Sequence, residues 1–372
     1  MIYLDHNATT PLDARVLDAM QPYLTTFYGN PSSLHRHGRT ARTAIENARE
    51  QVARLVNVSA SQVIFTSGGT EANNIAVLGS EKSSKNHVLI GATEHPSVIE
   101  PAAKLQKQGV QIETIAVDTD GQINTERLKA QICEHTSFIS LMHANNETGV
   151  IQDLSKVAEL ASSKGVILHT DAVQSAGKVE LDFSSLKANL MSLSGHKLYG
   201  PKGVGALIVD NKTGVNPLAM GGAQEAKIRP GTENVAGIVG FGVAAELAKS
   251  ELASRSEHLS TLRSSLESKL DKIDGLTVVA KPVERLPNTS QIIVENLDGE
   301  MLLMLLDKSS IAVSSGSACA SRNTAPSPVL MAMGYTEQQA NSALRISLGK
   351  DNSEADIEKF SSLLTELVES NR

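Results

Sequence analysis

Leu190-Met191-Ser192-Leu193-Ser194-Gly195-His196-Lys197-Leu198-Tyr199-Gly200-Pro201-Lys202-Gly203 joins an apolar run of strand character to a glycine-rich loop, and a lysine stands just past the end of the run. Small residues around Lys197 allow its amine to be held still and partly withdrawn from water. Both effects lower an amine's pKa and make it nucleophilic. Lys202, five residues on, reads as an ordinary solvated lysine.

Similar short apolar runs lie on either side, at 63–66, 87–90, 112–116, 138–141, 166–169 and 205–209. Between them, residues 70–78, 97–108, 125–133 and 154–163 carry helical patterns. Apolar strands alternating with helices predict an α/β fold whose mostly parallel sheet is covered on both faces. From 233 to about 273 the helical pattern is nearly unbroken and would lead out of this first unit. The remainder mixes strands (277–279, 291–294) with helices (301–307, 354–369), as a smaller α+β unit does. A chain of 372 residues suits about two domains.

Composition narrows the field. The formal charge is 34 − 41 = −7, with no basic run or aromatic-interleaved basic stripe, so nucleic-acid binding has no electrostatic support. Two cysteines, Cys133 and Cys319, make no disulfide framework and point to a reducing compartment. The N-terminal residues lack the basic and apolar regions of a signal peptide, and no apolar stretch has membrane-spanning length. A soluble, cytoplasmic protein is expected.

Polar clusters stand where four of the strands end. In Thr66-Ser67-Gly68-Gly69-Thr70-Glu71-Ala72-Asn73-Asn74 a strand passes into a helix through two glycines. Backbone amides can close on an anion there, and the helix N-terminus adds unpaired N–H groups, so a phosphate fits. A turn capped by threonine has the same composition. In Val166-Ile167-Leu168-His169-Thr170-Asp171-Ala172-Val173-Gln174-Ser175 the acid follows an apolar strand, and so faces the crevice where open α/β sheets bind ligands. Such a carboxylate can keep a pyridine nitrogen protonated, or simply cap a helix. His95, in Ala92-Thr93-Glu94-His95-Pro96-Ser97, can stack on a ring and exchange protons near neutral pH, or be structural. His143-Ala144-Asn145-Asn146-Glu147-Thr148-Gly149 offers two amides and a carboxylate to a polar ligand, in a composition that also favours a turn. In a parallel sheet these four clusters converge with Lys197. Anion cradle, ring-nitrogen acid, stacking imidazole and Schiff-base lysine are the parts of a pyridoxal phosphate site.

Ser314-Ser315-Gly316-Ser317-Ala318-Cys319-Ala320-Ser321 is small and polar, which predicts an exposed mobile loop with an accessible, nucleophilic thiol. Cys133, at the end of the 125–133 helical pattern, reads as packed and inert. Arg345, in Ala343-Leu344-Arg345-Ile346-Ser347-Leu348-Gly349, is a cation inside a β-like run; a bidentate clamp on a substrate carboxylate explains it, and a salt bridge does so equally well.

On these residues the chain resembles the cysteine desulfurases, pyridoxal-phosphate enzymes of the class V aminotransferase group. The resemblance runs nearly end to end, from Tyr3-Leu4-Asp5-His6-Asn7-Ala8-Thr9-Thr10-Pro11 through Lys197 to Leu344-Arg345-Ile346-Ser347-Leu348-Gly349. His95, Asp171, Gln174, Ser194-Gly195-His196-Lys197 and Ser314-Ser315-Gly316-Ser317-Ala318-Cys319 carry it. Ala318 precedes the cysteine, as in the type with a long catalytic loop; the other type has histidine there.

The resemblance implies an aspartate-aminotransferase-like fold (fold type I). A large domain over 14–255 would hold the mostly parallel sheet and the cofactor. A smaller α+β domain, from 1–13 and 256–372, would carry the cysteine loop. Cys319, Lys197 and His95 would be catalytic, with Lys197 covalently joined to the cofactor and His95 stacked on its ring. Asp171 would pair with the pyridinium nitrogen and Gln174 with the ring hydroxyl. Gly69, Thr70, Ser194 and His196 would hold the phosphate. Thr232, in Arg229-Pro230-Gly231-Thr232-Glu233-Asn234, would reach the phosphate of the neighbouring subunit of a homodimer. Asn146, beside the cofactor, would bind the substrate carboxylate together with Arg345.

The implied reaction converts L-cysteine to L-alanine and leaves a persulfide on Cys319. The sulfur would pass to an acceptor protein, with an iron–sulfur scaffold, a tRNA-thiolation enzyme and the thiamin pathway all open. Two departures stand out. Ala320 follows the cysteine where relatives commonly have Thr or Ser, and the sequence ends at Arg372, short of the extension with which some relatives dock a scaffold. A class V aminotransferase, a selenocysteine lyase and a non-catalytic sulfur-relay partner are the competing readings. A plain aminotransferase has no use for Cys319.

Overall fold

The computed structural model describes residues 1–80, 85–315 and 326–371. A two-residue strand, β1 (Ile2–Tyr3), is followed by helices Ala14–Thr25 and Arg36–Leu55. Seven strands then build one sheet: β2 (Val63–Thr66), β3 (His87–Gly91), β4 (Gln111–Ile115), β5 (Thr136–Ser140), β6 (Ile167–Asp171), β7 (Leu190–Ser194) and β8 (Gly205–Val209), in the order β2-β8-β7-β6-β5-β3-β4. Neighbours from β4 to β7 run parallel, and β8 runs antiparallel to both β7 and β2. Six strands therefore point one way and end at one edge. The exception has a simple cause. The ten residues 195–204 that join β7 to β8 hold one short 3₁₀ turn, too little for the crossover that parallel neighbours need.

β2, β3, β5, β7 and β8 are buried along their whole length, as strands covered on both faces must be, while the edge strand β4 is partly exposed. On one face Phe65, Ile139 and Leu193 pack with Phe241 and Ile45. On the other, Phe138 and Leu190 meet Ile75 and Val98 from helices Gly69–Gly79 and Pro96–Lys107.

The long helical pattern resolves into Val235–Ser250 and Leu252–Leu270. They part at Glu251, whose carboxylate takes Arg15 at 2.6 Å and Arg255 at 2.5 Å. Phe241 and Ala248 of the first helix belong to the core just described; Leu259, Leu262 and Leu266 of the second belong to a separate one. That second core underlies an antiparallel sheet of β9 (Leu276–Val278), β10 (Thr289–Val294), β12 (Ser314–Ser315) and β13 (Ala343–Ser347), ordered β12-β13-β10-β9. Between β10 and β12 lies β11 (Ile311–Ala312), parallel to β1. The N-terminal strand thus sits with the second core, where Leu4 is fully buried.

Cys133 departs from expectation. The helix Thr125–Gln131 stops before it, because Ile132 is already extended. Cys133 then lies exposed in the turn leading to β5, with its N–H on Thr136 Oγ1 at 2.9 Å. Its thiol is neither packed away nor raised in pKa: hydrogen bonding from Thr136 lowers it against a small opposing effect of burial.

Candidate active site

At the common edge of the six like-directed strands lies a cavity of about 300 Å³. Gly69, Thr70, His95, Asn146, Asp171, Gln174, Ser194, His196 and Lys197 all line it. Parallel pairing accounts for the convergence, since β2, β6 and β7 end at Thr66, Asp171 and Ser194 on one side of the sheet.

The helix that follows β2 begins at Gly69, and its N-cap, Gly68, offers no side-chain acceptor. Gly68 has φ +155° and ψ 179°, a conformation that glycine adopts freely and other residues do not. The first amides of the helix are therefore left without a side-chain cap beside the cavity, and Thr66 Oγ1 takes the N–H of Gly68, at 3.4 Å. Next to Gly69, Ser194 Oγ is buried and has no hydrogen-bond partner. His196 sits beside it with its imidazole pushed down to about 4, by burial first and then by Lys197 and Lys202. It would meet an anion as a neutral hydrogen-bonding group.

Asp171 and His95 are joined by a chain of hydrogen bonds. Asn73 Nδ2 donates to Asp171 Oδ2 (2.7 Å) and to Ser97 Oγ (2.8 Å). Ser97 Oγ lies 2.7 Å from His95 Nδ1, which also accepts the Ser97 backbone N–H at 3.1 Å. With Nδ1 an acceptor, the ring proton belongs on Nε2. Burial holds His95 below the ordinary histidine value; Asp171 opposes this and Lys197 adds to it. The bland alternatives are also partly realised, because His95 caps helix Pro96–Lys107 and Asp171 Oδ1 accepts the N–H of Val173 (2.9 Å). Behind Asp171, Glu94 is fully buried, and burial, then the Asp171 charge, raises its carboxyl to about 8. Near neutral pH Glu94 therefore holds its proton.

Lys197 is half-buried, and its Nζ donates to the carbonyls of Asn7 (2.5 Å) and Ala8 (2.8 Å). Asn7 was legible only as part of an N-terminal motif, yet it is a hub. Its Nδ2 donates to Asn146 O (3.1 Å) and Thr289 Oγ1 (2.9 Å), and its N–H to Ser347 Oγ (2.9 Å). Asn145 takes the turn-forming role that its composition allowed, accepting the N–H groups of Glu147 and Thr148. Glu147 faces away from the cavity toward Ser327 Oγ (2.5 Å), and burial raises it to about 7.

Arg345 is 1% exposed in the middle of β13. The salt-bridge reading is realised, and Arg345 is not among the residues that line the cavity. One terminal nitrogen pairs with Asp5 at 2.7 Å, the other donates to Asn146 O at 3.1 Å, and Nε is buried without a partner. Thr232 lies exposed, outside the cavity, two residues before the Asn234 cap of helix Val235–Ser250. Cys319 lies outside the described residues, between Ser315 of β12 and the buried Ser327.

The family model described as Aminotransferase class-V matches residues 2–360. Cysteine desulfurase IscS of Anaeromyxobacter sp. (strain Fw109-5) is 44% identical over 374 residues, which cover 99% of this chain and 92% of that protein. A solved NifS-like protein superposes with a TM-score of 0.92 at 36% identity, covering 99% of each chain. The structure of SspA in complex with cysteine superposes with a TM-score of 0.83 at 30% identity, covering 94% of this chain and 99% of that one.

Proposed function

The chain belongs to the class-V aminotransferase family as a pyridoxal-phosphate-dependent cysteine desulfurase, and from that membership we propose how its own residues divide the work. The observation that carries the reading is the gathering of Lys197, Asp171, His95 and an uncapped helix N-terminus around one cavity of about 300 Å³. The cavity suits the cofactor. An orphaned Ser194 hydroxyl and the free amides at Gly69 and Thr70 await a phosphate, with His196 beside them, and a braced carboxylate, Asp171, awaits a ring nitrogen. Bound there, pyridoxal phosphate supplies an electron sink that makes the bonds at the substrate's Cα and Cβ breakable.

Asp171 keeps the ring nitrogen protonated, and the Asn73 and Val173 donors hold it in place. His95 lies over the ring as a neutral imidazole. Gln174 donates to the ring hydroxyl. Lys197 would hold the cofactor covalently, and its amine would be the base for the substrate's Cα proton. Arg345, with its unpartnered Nε, and Asn146 bind the substrate carboxylate. Cys319 thiolate attacks the substrate sulfur. The Cβ–S bond breaks, an S–S bond forms, and L-cysteine plus the thiol become L-alanine plus a persulfide. The sulfur then passes to an acceptor protein in iron–sulfur cluster assembly or tRNA thiolation. Thr232, exposed on the surface, reaches the phosphate of a second copy in a homodimer, a reading that the exposed Tyr28, Leu34 and Met220 support. The separate cores support a cofactor domain over 14–255 and a smaller domain from 1–13 and 256–372.

The test is direct. Purified protein loaded with cofactor is given L-cysteine and a thiol reductant, and alanine and sulfide are measured. Equimolar products are expected. Transfer of the amino group to a keto acid without sulfide would mean an aminotransferase instead. Cys319→Ser is expected to keep the cofactor's visible absorbance and lose both products; retained turnover rejects the nucleophile.

A further inference from the structure

Lys178 is 7% exposed and has no place in the scheme above. It follows Gln174 by four residues in a helical turn beyond β6, where Ala176 N–H donates to Ala172 O and Val179 N–H to Ser175 O. The turn brings the two side chains into contact. Gly177, at φ +70°, lets the turn press against Leu198 and Ala248, where a Cβ would come within 2.9 Å of both. Lys178 Nζ donates to Gln174 Oε1 (2.9 Å) and to Asn7 Oδ1 (2.8 Å). Both acceptors are neutral amides. The charged and titratable groups that act on it or feel it are Lys197, Arg345 and His6.

The contacts of Gln174 then admit one orientation of its amide. Nε2 donates to Asn7 O at 3.0 Å while Oε1 receives the lysine. A flipped amide would set NH₂ against the lysine donor and oxygen against the Asn7 carbonyl, two repulsions in a dry site. The same amine fixes Asn7, whose Oδ1 also takes Asn288 Nδ2 (3.0 Å) and whose Nδ2 faces Asn146 O. We propose that Lys178 is a positioning residue, holding Gln174 with its oxygen turned away from the cavity so that its remaining amide N–H is presented to the cofactor's ring oxygen. The proposal rests on the assignment of Gln174 to that oxygen.

A donor at the ring oxygen favours its ionised form, so losing the donor raises the pH at which the chromophore titrates. In the loaded enzyme, Lys178→Met is expected to raise the midpoint of the visible-absorbance pH titration by about one unit, a tenfold change in proton affinity. Lys178→Arg, which keeps a donor, is expected to restore most of it. Gln174→Ala should give a rise of its own, and adding Lys178→Met to it should add nothing, since one residue acts through the other. A Gln174→Ala midpoint equal to wild type would remove Gln174 from the ring oxygen and the proposal with it. A shift in Gln174→Ala without one in Lys178→Met would overturn the lysine's role alone, as would additive shifts in the double variant. Failure of both lysine variants to fold with cofactor present would place the amine in the stability of the junction and overturn the proposal as well.

Discussion

At the edge of the seven-stranded sheet, β2, β6 and β7 deliver Gly69, Asp171 and Ser194 to one cavity from strand ends, whereas the antiparallel sheet holds Arg345 in the middle of β13, outside that lining. Parallel strands collect their carboxyl ends on one side, so loops with little structural duty carry chemistry there. Antiparallel strands alternate direction, and a residue that must face the other unit does so from inside the sheet. Arg345 is accordingly buried, paired with Asp5, and part of the fold as much as of the site. Substitution of a strand-end side chain such as Lys197 should therefore act on chemistry with little cost in stability, and substitution at Arg345 should act on both.

The sharpest test at a strand end is Lys197→Ala. Loss of both anchor and proton carrier is expected to reduce kcat by at least about 10³-fold and to abolish the visible absorbance, with the apoprotein's unfolding midpoint nearly unchanged. A large fall in that midpoint would break the contrast. Arg345→Ala is expected to raise KM for cysteine about 10- to 100-fold and to cost about 3 kcal/mol in urea unfolding, because Asp5 loses its buried partner. An unchanged stability would show that Asp5 finds water instead. Gly68→Ala forces a side chain into glycine's conformation, for about 1–3 kcal/mol, and should weaken cofactor retention roughly tenfold in equilibrium dialysis. Equal retention would detach the helix N-terminus from the phosphate.

The smallest effect concerns pH. Glu94 titrates near 8 when folded against 4.5 ordinarily, so the folded state holds a proton that the unfolded chain releases. Stability from this group is present below the ordinary value and falls as pH rises toward 8. Glu94→Gln should flatten that fall between pH 5 and pH 8. Parallel curves for the two proteins would assign the slope elsewhere.

Strands and cavity residues were legible because burial on both faces demands continuous apolar runs, and because the polar residue after such a run has one edge to go to. The direction of β8 was not read, although the short link at 195–204 held the signal. Cys133 was misplaced because a helical pattern does not reveal that Ile132 ends the helix. The Asp5–Arg345 pair and the Asn7 hub were beyond reach. Partners 340 and 281 positions apart are set by tertiary packing and leave no local periodicity.

That separation bears on how the enzyme is made. β1 lies against Ile311–Ala312, and Asp5 and Asn7 are tied to Arg345 and Ser347. As the chain emerges during synthesis, the large sheet can condense early, but residues 2–7 find their place only once β11 and β13 have been made. The carbonyls that hold Lys197 arrive with that segment. The cavity around Lys197 is thus completed only once β13 has emerged, and a nascent chain halted before it would hold an open, half-built pocket.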